Sequence, residues 1–147
     1  MEYLTTHDLV WVNNIVTGQV NGYDYVTLEA AMAGQYRYGH SEDVPAQAAI
    51  LLERLLCTAP FSSGNRRTAY IATLTFLNAN GYATRLGDAD AASLIVAVAQ
   101  GQKPAREAID ELTAPASRPL AAIPIRKLVG HECNLHVEAL RNLVAGD

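Results

Sequence analysis

Ala59-Pro60-Phe61-Ser62-Ser63-Gly64-Asn65-Arg66-Arg67-Thr68 is the stretch that decides how this chain of 147 residues is read. A short Pro/Ser/Gly loop opens straight into a helical pattern whose first residues include two arginines. The first N–H groups of a helix have no partner within it, and the aligned peptide dipoles leave partial positive charge there, so anions are attracted. Gly64 permits a turn that larger residues resist. Arg66 and Arg67 add guanidinium donors suited to phosphate. These parts read as a phosphate cradle. The loop has no His, Asp, Glu or Cys. It can hold a phosphate but offers no obvious base or metal ligand.

The segments on either side predict two buried helices. Asp43 is a cap and Pro45 lies in the first turn of a helix over 46–57. That helix is apolar on nearly every side, through Ala48, Ile50, Leu51, Leu52, Leu55 and Leu56. The helix after the loop, over 66–80, carries Tyr70, Ile71, Leu74, Phe76 and Leu77. Helices apolar all round are buried. The two form a central hairpin, and the core holds the loop between them.

Further out the pattern stays helical. Thr5-Thr6-His7-Asp8 has the form of a capping box and starts a helix ending near Gly18. Thr27 is read as the cap of a second helix over 28–38, broken at Gly39. Gly81 ends the hairpin's second helix, and 82–86 is a short extended piece. Asp88 is read as capping a helix to about Gln100, and Pro104 as starting one to about Leu112. Three prolines in 114–124 read as a linker. A last amphipathic helix over 125–144 carries Leu128, Leu135, Leu140 and Leu143, with Gly130 as a point of interruption. The fold class is all-α, with a domain over 1–113, a linker over 114–124 and a C-terminal extension over 125–147.

Composition bounds the function. Half the residues are apolar, enough for one domain's core. The net charge of −4 argues against a general nucleic-acid binder. Cys57 and Cys133 lie far apart. Cys57, in an apolar helical run, reads as a buried thiol, which fits a reducing cytoplasm. Met1-Glu2-Tyr3-Leu4 has no basic start, so no secretory leader is expected. No apolar run approaches ~20 residues, so no membrane span is expected.

The loop and its helices resemble the Fic/Doc (Fido) superfamily, especially its death-on-curing (Doc) branch. The family motif reads His-x-Phe-x-(Asp/Glu)-(Gly/Ala)-Asn-(Gly/Lys)-Arg, followed in that branch by Thr-Ala. This chain gives Ala59-x-Phe61-x-Ser63-Gly64-Asn65-Arg66-Arg67-Thr68-Ala69. Phe76-Leu77-Asn78-Ala79-Asn80-Gly81 and the Asp88-led helix also look like the family's continuation, so the resemblance spans about residues 4–113. It implies a Fido helical fold with the central hairpin carrying the motif loop. Fic proteins transfer AMP, and Doc toxins phosphate, from ATP to a protein hydroxyl. The motif His is implied to be the general base, and the acidic residue to help hold Mg²⁺. By the same resemblance Phe61 anchors the loop, Gly64, Asn65 and Arg67 bind phosphates, and Arg66 takes the Gly/Lys place. Ala59 stands where the base belongs and Ser63 where the carboxylate belongs. A methyl group accepts no proton, and a neutral hydroxyl is a poor Mg²⁺ ligand.

Three readings follow. One is a pseudoenzyme of toxin–antitoxin type that binds ATP, another nucleotide or phosphate without transfer. Another is an active transferase whose motif His was replaced. A third is a protein-interaction module on a Fido scaffold, since fold does not fix function. The retained cradle favours the first over the third, and the paired losses at Ala59 and Ser63 favour it over the second. No Ser or Thr is followed four residues on by Glu, so the inhibitory-helix pattern of some family members is absent. Restraint of the site is expected from a separate antitoxin, if from anything.

The remaining polar residues carry less. His131, Cys133 and His136 include metal-ligand types, but His131 and His136 lie about 500° apart around a helix, so no metal is assigned. His40, His7 and Arg37 read as surface residues. Tyr23, Tyr25, Tyr36 and Tyr38 gather around the second helix as a core boundary or a partner face. The tail helix must bury its stripe. It either folds back or packs on a second copy, and the commonness of two-fold dimers favours a homodimer.

Overall fold

The computed structural model describes residues 1–36, 42–116, 124–144 and 147. Arg37, Tyr38 and His40 lie outside the described residues, as does most of the linker. The fold is all-α, with one two-stranded ribbon.

Helix α1 spans Thr6–Thr17. The Thr5 side chain accepts from the Asp8 backbone N–H and Asp8 returns the bond to the Thr5 N–H, the reciprocal box its sequence predicts. Gly18, at φ 70°, closes it in the left-handed region. Helix α2, Tyr25–Met32, starts earlier than expected. Asp24 is its cap, because its carboxylate accepts from the Thr27 N–H at 2.9 Å. Thr27 therefore lies in the first turn. A 3-10 turn, Ala33–Gln35, follows. The buried Gln35 amide binds both backbone groups of Leu4 at 2.7 Å and so fastens the N-terminal segment to the core.

Helices α3, Val44–Thr58, and α4, Asn65–Ala79, form the central hairpin. Asp43 caps α3 through the Ala46 N–H, as predicted. Every residue of α4 from Thr68 to Leu77 is buried. Phe76, Ile71, Leu51 and Leu52 are fully buried, and each contributes roughly 1.5–3 kcal/mol by leaving water. Cys57, by contrast, is exposed at the end of α3 rather than buried. An apolar run does not say which way its last residue turns.

Strand β1, Tyr82–Thr84, pairs antiparallel with β2, Thr113–Pro115, in the register Tyr82↔Pro115, Ala83↔Ala114, Thr84↔Thr113. The start of the expected linker is thus a strand. Pro115 is tolerated because an edge strand has an unpaired side. Between the strands run α5, Asp88–Ala99, and α6, Ala105–Leu112. Gly87, not Asp88, is the cap residue of α5, and the Asp88 carboxylate reaches instead across the fold.

The tail folds back. It is two helices, α7 over Ile125–Leu135 and α8 over Val137–Leu143. The break falls at His136 (φ −114°, ψ 37°), not at Gly130. Helix α7 lies on α4 and α8 on α5. Leu128 and Leu143 are buried within the chain's own core, while Leu135 is exposed. The leucine stripe that suggested a dimer contact is therefore largely covered internally.

Candidate anion site

The motif loop is held from three directions. Along one side, residues 22–24 run antiparallel to 60–62. The Asp24 N–H donates to the Pro60 carbonyl, and the Ser62 N–H to the Gly22 carbonyl, both at 2.9 Å. Tyr23 packs its ring on Phe61, with centroids 5.8 Å apart. Phe61 is 4 % exposed, so the expected anchor is in the core.

From within the loop, Asn65 forms a clamp. The Phe61 N–H donates to Asn65 Oδ1 at 2.9 Å, and Asn65 Nδ2 donates to the Phe61 carbonyl at 2.7 Å. This side chain, which the family resemblance assigns to phosphate, shapes the loop in this structure. The sequence motif shows that an Asn stands there but not which partner satisfies its amide.

From below, α1 supplies Asn13, which is buried. Asn13 Nδ2 donates to the Ser63 carbonyl at 2.9 Å and to Thr68 Oγ1 at 3.0 Å, and its Oδ1 accepts from Asn21. Asn13 did not stand out as a site residue. Its signal was a polar side chain one helical turn from Leu9, on the apolar face of α1. Gly64 sits against this network at φ 80°. A β-carbon there would meet Thr17 Cγ2 at 2.3 Å and Asn13 Nδ2 at 3.1 Å. Gly64 is therefore required twice, by conformation and by space.

The two arginines divide the work. Arg67 turns its side chain into the site. Its guanidinium donates through one terminal nitrogen to the Val16 carbonyl at 3.0 Å, in the last turn of α1. Its Nε donates to Asp147 Oδ2. Arg66 contributes its backbone: its N–H donates to Asp147 Oδ1. One carboxylate thus bridges a helix N-terminal N–H and a guanidinium, an arrangement that suits an anion. The Asp147 side chain is 2 % exposed.

Chemically the loop is poor beyond this seat. Ala59 is exposed and caps α3 in the left-handed region, at φ 44° and ψ 64°. It brings only a methyl group to the place of the expected base. Ser63 is half-buried and its carbonyl is taken by Asn13. Among the described residues no group of three or more His, Cys, Asp or Glu is placed to hold a metal ion. The donor set here does not fit Mg²⁺, which prefers carboxylate oxygens.

A second polar cluster lies under the tail. His136 Nδ1 is 3.0 Å from Asp88 Oδ1, and His136 Nε2 is 3.1 Å from Glu132 Oε2. Tyr70 Oη lies 3.4 Å from the same Nδ1, and Asn78 Nδ2 donates to Glu132 Oε1. Burial would push the His136 imidazolium down, but hydrogen bonds and charge attraction from Glu132 and Asp88 outweigh it, and its pKa is raised. Burial and Glu132 push the Cys133 thiol up to about 11, so it is not a nucleophile at neutral pH. His131 is exposed and takes no part.

The site is thus a loop between two hairpin helices, clamped by Asn65, with Gly64 opening the second helix and Arg67 in its first turn. The Fic/DOC family model matches residues 4–77, half of the chain, and the chain belongs to that family. No curated protein and no solved structure matches it. No helix among the described residues is long and apolar enough to cross a membrane.

Proposed function

We propose that this Fic/DOC-family protein binds phosphate, free or as part of a nucleotide such as ATP, at the start of α4 and transfers no group from it. The observation that carries this reading is the Asp147 carboxylate on the Arg66 N–H and Arg67 Nε. The seat accepts an anion, while Ala59 and Ser63 supply neither base nor metal ligand. A pseudoenzyme of this kind acts by occupancy, in a toxin–antitoxin setting with an antitoxin or target protein as partner. Its place of action on this reading is the cytoplasm.

Titration calorimetry with inorganic phosphate and with ATP tests the reading. Binding is expected at ligand concentrations on the order of millimolar. Arg67→Ala should weaken it by about 10-fold or more, the value of a charge-assisted hydrogen bond. Absence of binding to the full chain, or binding indifferent to Arg67, would reject the cradle as a ligand site.

A further inference from the structure

Ala46, Ala49, Ile50, Glu53 and Cys57 of α3 wall one side of a cleft of about 580 Å³. Their spacing puts them on one stripe of the helix. The facing wall is the end of α5, with Val98 and Ala99, and the start of α6, with Ala105 and Arg106. Alanines on both walls keep open a space that larger side chains would fill. A cleft that holds a small organic molecule has a volume of about 300–1,000 Å³. No residue of the motif loop lines this one, so it is separate from the anion site.

The charges at the cleft decide what it takes. Lys103 also lines it, but its Nζ donates to both carboxylate oxygens of Glu111, at 2.8 and 2.9 Å. Arg106 Nε pairs with Asp110 at 3.1 Å, and one of its terminal nitrogens with Asp43 at 3.2 Å. None of these three carboxylates lines the cleft, so both cationic heads are engaged by partners outside it. Glu53 differs. It is exposed and has no hydrogen-bond or ion-pair partner among the described residues. Two cations against four carboxylates leave the surroundings of the cleft negative.

We propose that this cleft binds an organic amine, with its apolar body between Ala49 and Ile50 of α3 and Val98 of α5 and its ammonium on the Glu53 carboxylate. The sign of the charge follows from what each ligand must break. An anion has to draw Lys103 or Arg106 out of an ion pair already made. An ammonium meets a carboxylate with no pair to break, and that difference is the selectivity. A metal ion is not the occupant, since no group of three or more His, Cys, Asp or Glu is placed to hold one among the described residues.

Tryptamine is the probe, and indole-3-acetate its counterpart with a similar apolar body and the opposite charge. Cys57 reports occupancy. It is exposed, lines the cleft one helical turn from Glu53, and is open to alkylation by iodoacetamide. Cys133 is half-buried with its thiol pushed up to about 11, and serves as the slow internal control. Mass spectrometry of the full chain follows both sites. Tryptamine at about four times its dissociation constant should slow Cys57 labelling about 5-fold, while indole-3-acetate at the same concentration leaves it nearly unchanged. Glu53→Gln keeps the size and removes the charge of an exposed side chain. It should raise the tryptamine concentration for half-protection by about 5-fold. Equal or stronger protection by indole-3-acetate would overturn the assignment to amines. An unchanged half-protecting concentration in Glu53→Gln would overturn the ammonium's place. No protection by tryptamine at about 10 mM would overturn the site itself.

Discussion

The Asn13 amide donates to the Ser63 carbonyl at 2.9 Å, so the first helix sets the path of a loop that lies 50 residues later. The same nitrogen reaches Thr68 Oγ1, inside the first turns of α4. One buried side chain thereby fixes both the loop and the helix that make the cradle.

Asn13→Ala should cost about 1–3 kcal/mol, because Asn13 is buried and its loss removes the donor to the Ser63 carbonyl and to Thr68 Oγ1. Urea unfolding measures the loss. Phosphate affinity should fall as well, since the loop path loosens. A stability loss with unchanged phosphate affinity would show that the cradle does not depend on this brace.

Gly64→Ala should be worse than a routine surface change, by roughly 2 kcal/mol or more, since the new β-carbon meets Thr17 Cγ2 at 2.3 Å and φ is positive. Thr17→Ser removes the offending methyl and keeps the hydroxyl. The pair Gly64→Ala with Thr17→Ser should recover part of the loss, with the backbone strain remaining. Thermal melts of the single and double variants check this. No recovery would place the whole cost in the backbone.

The double change Ala59→His and Ser63→Asp should give measurable label transfer from ATP to protein where the unaltered chain gives none. Position 59 already lies in the left-handed region, at φ 44°. Histidine is among the residues enriched there, so its backbone cost should be small. General-base loss alone is worth about 10²–10⁴-fold in rate. Clear labelling by the unaltered chain that depends on Asn65 and Arg67 would reject the pseudoenzyme reading.

Much of this was legible in the sequence because it is local. The Thr5–Asp8 box, the Asp43 cap and the central hairpin follow from spacing and apolar pattern alone. The residues that went astray are those whose partners are distant. Asp88 looked like a cap but bonds His136, 48 positions away. Pattern reading sees periodicity and caps. It cannot see which buried polar groups converge from separate helices.

The His136 cluster should make stability depend on pH in one direction. The folded pKa is raised above the ordinary value of about 6.5. Below that value the imidazole is protonated folded and unfolded, and the full contribution of its pairs with Asp88 and Glu132 is present. As pH rises through the folded pKa the proton is lost and the contribution goes. The urea midpoint gap between the unaltered chain and His136→Gln should be widest at pH about 6 and narrow above the folded pKa. Tyr70 faces the same ring, but its own pKa is pushed upward by burial and by Asp88 and Glu132, so it stays neutral in this range. A gap that widens with rising pH would show that the histidine is held neutral instead.

The distances along the chain between the cradle's partners also bear on time. Asn13 and Ser63 are 50 residues apart, and Arg66 and Asp147 are 81 apart. Closing such loops costs chain entropy before their contacts reward it. The helices can form locally, whereas the anion seat exists only after α1 and the tail have docked. Trp11, the sole tryptophan, lies on α1 with the Arg126 guanidinium of α7 4.8 Å from its ring, and so reports that docking. In refolding, far-ultraviolet circular dichroism should therefore lead and Trp11 fluorescence follow. A single shared rate would mean that scaffold and seat condense together.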